Sequence, residues 1–369
     1  MLNKTDLTDA VSEGIITAEQ AEQLNALSNR QHSDNDSLLS QQLETRDEPF
    51  RLLRGFRDVF IALGILFFCF GATSLYGYSM VATSTEHSGL DYWLSSKERV
   101  VGGVAGVFLL LLFGIAIAEI VTRKLRLPLA SLVLSIAMAF WSGWFGLLIL
   151  GSFAPTLFTS STNSPSLFYL VFFSSAFVGI SLFYARYRLP FVSLVIAASL
   201  VGLAYTVWSF LVPNTDLAGH FVVVGLLGVA VFGVAMYFDT SDRLRVTRLS
   251  ENAFWLHLLA APLMIRSIFA SSLDNEINAW VILLVFSVLT LIALIIDRRA
   301  ILVSSLVYMS GAFAQIAKDF GVDSTLNFAL PLLFIGLLVL VLGIGWSPFR
   351  RLVMRKVPSS IAMRTPPIA

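Results

Sequence analysis

The sequence predicts an all-α fold, a polytopic transmembrane helical bundle of about ten spans built partly from repeated helical hairpins. Three observations lead there. Of 369 residues, 56% are hydrophobic and only 13% are charged, where a soluble domain carries about 25% charged residues. Apolar runs near the length that a bilayer core demands, about 20 residues, recur along the chain. Lastly, Arg126-Leu127-Pro128-Leu129-Ala130-Ser131-Leu132-Val133 returns as Arg188-Leu189-Pro190-Phe191-Val192-Ser193-Leu194-Val195, each copy between two apolar runs. A short basic turn that feeds an apolar run is how a chain re-enters a bilayer from the cytoplasmic side.

Residues 1–27 read as a cytosolic helix-turn-helix hairpin. Leu7, Val11 and Ile15 lie at helical spacing, and Gly14 interrupts the run. Thr17 with Gln20 fits a capping box, in which hydroxyl and amide satisfy each other's free backbone N–H groups. Ala21, Leu24 and Leu27 continue the apolar stripe. Such a hairpin is too small to be stable alone, so it calls for a protein partner, a second copy or the membrane domain. Residues 28–48 are polar and read as a disordered linker. Residues 49–58 form an interfacial amphipathic segment. There Arg51, Arg54 and Arg57 recur every three residues, with Phe50, Leu53 and Phe56 between them. Guanidinium groups among anionic phospholipid headgroups and rings at the acyl boundary explain that pattern. A plain topology anchor for the first span explains it too.

Residues 59–347 form the ten-helix transmembrane domain, with spans expected at 59–80, 100–121, 129–152, 167–185, 191–212, 221–238, 253–270, 277–296, 301–316 and 328–345. Residues 348–369 make a cytosolic basic tail. The polar start lacks the basic-then-apolar order of a cleavable signal, so the first span is expected to act as an uncleaved insertion signal.

Sorting the cations tests the count. The alternate turns carry Arg123, Lys124 and Arg126; Arg186 and Arg188; Arg243, Arg245 and Arg248; and Arg298 and Arg299. With the two terminal segments they place 21 of the 25 basic residues on one side. The positive-inside bias then puts both termini in the cytoplasm. The opposite loops are short and carry acids such as Glu86, Asp91, Asp216 and Asp274.

A weaker third echo of the repeated phrase runs from Arg298 to Val307, with the proline lost. The period is one hairpin, and inward turns echo inward turns. That argues against the inverted five-plus-five scheme of the drug/metabolite transporter superfamily, whose repeats would pair inward turns with outward ones.

Polar groups inside lipid are costly and therefore informative. The candidate substrate contacts are Arg266 and His257 on the seventh span, and Tyr308 and Gln315 on the ninth. For Arg266 the alternatives are snorkelling, or pairing with Asp274 or Glu276. For His257 the alternative is a satisfied structural histidine. Glu119 and Arg123 stand at i,i+4 and should pair. Gly102 with Gly106, and Gly225 with Gly228 and Gly233, suggest close helix contact. Trp141 and Trp144 lie too deep for an interfacial belt and should pack between helices. Cys69, the one cysteine, reads as a small buried hydrophobe. The four histidines show no metal spacing. No catalytic residue set, metal site or cofactor fingerprint stands out, so an enzyme is not expected. The net charge of +1 gives no reason to expect a nucleic-acid partner.

The stretch Val11-Ser12-Glu13-Gly14-Ile15-Ile16-Thr17-Ala18-Glu19-Gln20-Ala21 resembles the N-terminal helical hairpin of uncharacterised polytopic bacterial inner-membrane proteins. The resemblance implies a bacterial inner-membrane location and carries no activity with it. Two functions follow as expectations. One is transporter-like handling of a small neutral, anionic or amphipathic solute, lipid included. The other is a non-transporting scaffold or sensor that docks a partner through residues 1–27.

Overall fold

Helix is the only regular structure among the described residues of this computed structural model. These are residues 12–14, 17–20, 56–82, 97–154, 164–213, 215–242, 247–270, 279–299 and 326–359, with single positions at 301, 302, 306, 309, 313, 321 and 365. The chain divides into two units, residues 1–49 with 368–369, and residues 50–367.

In the first unit the expected local signals are present. Gly14 has φ +70°, a conformation in which a β-carbon would be strained. The Thr17 N–H donates to Gln20 Oε1 at 2.9 Å, and the Gln20 N–H donates to Thr17 Oγ1 at 3.3 Å. Both halves of the capping box are therefore made.

The second unit holds α1 (Phe56–Ala82), α2 (Lys97–Ala118), α3 (Pro128–Phe153), α4 (Ser164–Tyr187), α5 (Val192–Leu211), α6 (Leu217–Ser241), α7 (Arg248–Ala270), α8 (Ala279–Ile296), α9 (Leu326–Ile344) and α10 (Trp346–Met354). A π-helical turn, Glu119–Lys124, prolongs α2. Helices α1 to α6 are each long and apolar enough to cross a membrane, and α9 with α10 would make a seventh span if the bent pair is counted as one. The chain is thus a multi-pass membrane protein, with six or seven candidate spans among the described residues, which leaves the expected ten unconfirmed. Helix α7 is diluted by Arg248, Glu251, His257 and Arg266, and α8 offers only a shorter apolar stretch, Leu283–Ile296. The expected ninth span falls largely outside the described residues.

Helix α3 is the hub of the first half. Half of its apolar window is buried, against about a fifth for the other spans, and it touches α1, α2, α4 and α5. Trp141 packs there, its indole N–H donating to Thr73 Oγ1 at 3.0 Å. Trp144 meets the rings of Phe140, Phe168 and Phe172. Small residues set the α3–α4 distance. A β-carbon on Gly146 would overlap Ser175, and one on Gly179 would overlap Ser142. Two Ser-x-x-x-Gly patterns thus face each other, the close approach that small residues permit in membranes. Of the expected glycine motifs, Gly225 and Gly228 do meet α7, whereas Gly102 and Gly233 have open space beside them.

The repeated phrase recurs as conformation. Arg126 has φ 52° and Arg188 has φ 51°, a left-handed geometry uncommon for residues with a β-carbon. The third turn adopts it at Asp297, φ 61°. That is three residues earlier than a match on Ser-Leu-Val would place it. The backbone event is shared and its sequence register has drifted.

Candidate functional site

One end of the bundle is tied by a belt of polar contacts. At α1, Asp58 is fully buried and its carboxylate accepts from the N–H groups of Leu129 and Ala130, at 3.3 and 3.2 Å. It therefore caps α3 from another helix, where Pro128 supplies no N–H and the helix dipole favours an anion. Beside it, Thr122 Oγ1 and Ser131 Oγ lie 2.9 Å apart. Next in the belt, Glu119 accepts from Arg123 at 3.1 Å, from Arg186 at 2.9 Å and from the Tyr187 hydroxyl at 3.2 Å. Arg248 Nη1 donates to the Arg188 carbonyl at 3.2 Å. The basic turns singled out by the sequence thus meet at a single end.

The belt continues into a sealed cluster. Asp239, near the C-terminus of α6, is 6% exposed, Arg298 is 2% exposed and His257 is fully buried. Arg298 Nε donates to Asp239 Oδ1 at 3.1 Å, and Arg298 Nη2 also pairs with that oxygen. The same Nη2 donates to the Ser250 carbonyl at 2.9 Å and to its hydroxyl at 3.0 Å. His257 Nε2 lies 2.8 Å from Asp239 Oδ2. A carboxylate only accepts, so Nε2 carries the hydrogen. Helices α6 and α7 and the turn after α8 are joined through one carboxylate. One residue before Arg298, Asp297 faces the other way. It accepts from the Trp346 indole at 2.7 Å and stands 3.5 Å from Arg350 Nη1.

Between α2, α3 and α4 lies a groove of about 690 Å³. Its floor is the Ser142–Gly146 and Ser175–Gly179 crossing, and its walls include Phe108, Ile115, Phe145, Val178 and Leu182. Four of those wall residues, Phe108, Ile115, Val178 and Leu182, are exposed, so the groove opens sideways onto the lipid-facing surface. Its polar lining at the belt end comes from Glu119, Arg186 and Tyr187. The cavity is therefore amphipathic along its length, apolar below and ionic at the top. Ser142 Oγ donates to the Met138 carbonyl at 2.7 Å, as hydroxyls in membrane helices commonly do.

The predicted contacts do not converge on this groove. Arg266 is exposed at the far part of α7, with its guanidinium 5.4 Å from the Phe221 ring centre. His257 lies nine residues earlier, roughly 13 Å along the axis, inside the Asp239 cluster. Its ring nitrogen Nε2 is engaged by a buried carboxylate, away from the groove. Tyr308, Gln315, Arg51 and Arg54 lie outside the described residues, as do Asp274 and Glu276, while Arg57 is exposed on α1. Glu119 pairs with Arg123 as its spacing predicts, and recruits Arg186 and Tyr187 from 67 and 68 residues away. Among the described residues no group of three or more His, Cys, Asp or Glu side chains could hold a metal ion.

Asp239 lies one residue beyond the apolar run that ends at Phe238, whereas α6 continues to Ser241. The available signal was an aspartate within a helical turn of the run, facing a histidine on the next helix. Compared with known proteins, the chain matches no family model, no curated protein and no solved structure.

Proposed function

We propose that this is a bacterial inner-membrane protein with cytoplasmic termini, and that it handles an anionic, lipid-like amphiphile in transporter fashion through the α2–α3–α4 groove. The observation that carries the reading is the groove's polarity gradient. An acyl chain fits the apolar walls, which water would leave costly to expose. A phosphate or carboxylate headgroup fits the arginine end, since guanidinium forks bind such anions in pairs of hydrogen bonds. Glu119 offsets part of that positive charge and holds Arg123 and Arg186 in place. The cytoplasmic orientation rests on the charge asymmetry of the turns, and the bacterial location on the resemblance of residues 11–21.

The test is exchange of a fluorescent anionic phospholipid between leaflets of proteoliposomes. Wild-type protein is expected to accelerate it. Val178→Trp, which fills the groove from an exposed wall position, is expected to remove most of the acceleration while Arg266→Gln leaves it intact. Equal rates for wild type and Val178→Trp, or none above empty liposomes, would sink the reading.

A docking role for residues 1–27 is favoured by a separate observation, the completed capping box in a unit of its own. Deleting residues 1–48 should abolish self-association or partner capture and spare lipid exchange. Complexes that survive the deletion would remove this second role.

A further inference from the structure

Helix α10 overlaps the start of the expected basic tail, residues 348–369, and it is built for a boundary. At about 100° per residue, its side chains divide into three strips. Trp346, Arg350 and Met354 are buried. Their strip is pinned to the end of α8, because Asp297 takes the Trp346 indole and pairs with Arg350, while Arg299 lies 5.3 Å over the Trp346 ring. A second strip holds Ser347, Arg351 and Arg355, all exposed. Val353 packs partly against the core, and the third strip holds Phe349 and Leu352, 38% and 61% exposed. Lys356, exposed just past the helix end, follows it. The helix is turned by 69° from α9, whose last residue, Ile344, is an exposed apolar side chain.

We infer that α10 is an interfacial helix that binds the anionic phospholipid headgroups of the adjacent leaflet. One strip is fastened to protein. An exposed ring and an exposed leucine beside a flank of exposed arginines suit neither bulk water nor the acyl core. They suit the level where phosphates meet acyl chains. Arg351, Arg355 and Lys356 supply three cations there with no acid among residues 345–356. Arg350 is not one of them, being turned inward to Asp297. Fixed attachment to α8 sets this site apart from a flexible polybasic tail, because the cations are held at a set depth.

The experiment uses the full chain in nanodiscs. Cys69→Ala removes the one native thiol, and Leu352→Cys carries a bimane label. Brominated phosphatidylglycerol and brominated phosphatidylcholine are compared as quenchers at equal mole fraction. Quenching by the anionic lipid is expected to be stronger by at least about twofold. Replacing Arg351, Arg355 and Lys356 together with Gln should erase that preference while quenching itself persists. Equal quenching by the two lipids, or a preference that survives the triple substitution, overturns the inference. So does quenching by neither lipid, which would turn this face toward water or a protein. Thermal unfolding of the triple variant at the wild-type midpoint excludes misfolding, and single Arg355→Gln, expected to lose part of the preference, provides a milder second variant.

Discussion

Glu119 and Asp239 are the same device built twice, once open and once shut. Each sits near the end of a helix and is held by an arginine from another helix and by a second donor on an aromatic ring. Yet Glu119 is 34% exposed and its partner Arg186 53% exposed, whereas Asp239 and Arg298 are sealed at 6% and 2%. The difference lies in the helices behind them. Helices α6 and α7 run in close contact because Gly225, Gly228, Ala235, Ala260 and Ala261 leave no bulk between them. Helices α2 and α4 do not pack closely on each other and are spanned by long side chains, so a groove remains. Identical ionic chemistry thus serves cohesion where small residues draw helices together, and remains available to a ligand where they do not.

The largest effect should come from breaking the shut copy. Arg298→Ala leaves Asp239 charged and buried, a loss of about 3–5 kcal/mol, visible as a fall in the thermal midpoint in detergent. Asp239→Asn combined with Arg298→Met removes both charges and should recover most of it. A double variant no more stable than Arg298→Ala would show that the ionic pair is not the source. Asp58→Ala should cost less, about 1–2 kcal/mol, the usual loss when a helix cap is removed. Unchanged unfolding would mean that the α3 start is satisfied otherwise. The smallest effect on stability is expected for Glu119→Gln, because exposed ion pairs contribute little. Its signature should instead be altered retention of anionic lipid by native mass spectrometry, and a drop in stability like that of Arg298→Ala would erase the contrast between the two copies.

Much of the helical layout was legible because lipid imposes long apolar runs and places cations at their ends. Nine of the ten expected spans coincide with helices, although three of those fall short of a clear span by length or composition. Local signals held best. The Thr17–Gln20 cap and the Glu119–Arg123 pair depend only on spacing. What escaped was every contact made across helices. Nothing near Asp58 announces that it will cap a helix 71 residues on. Arg298 looked like one more loop cation, since a sequence does not reveal that a carboxylate will arrive from α6. The Ser-x-x-x-Gly crossing carries no glycine-pair signature, although serine permits the same close approach. The third echo misled by three residues, because its left-handed position passed to Asp297 as the flanking letters changed.

The sealed cluster also constrains the order in which the protein is made. Asp239 and His257 precede Arg298 by 59 and 41 residues and so reach the bilayer ahead of it. Were α6 and α7 to close dry against each other at that moment, an uncompensated carboxylate would be trapped. The two helices must therefore stay loosely associated, with Asp239 kept wet, until α8 delivers the guanidinium. Closure is then a three-body event, and Arg298 is the latch that ends it.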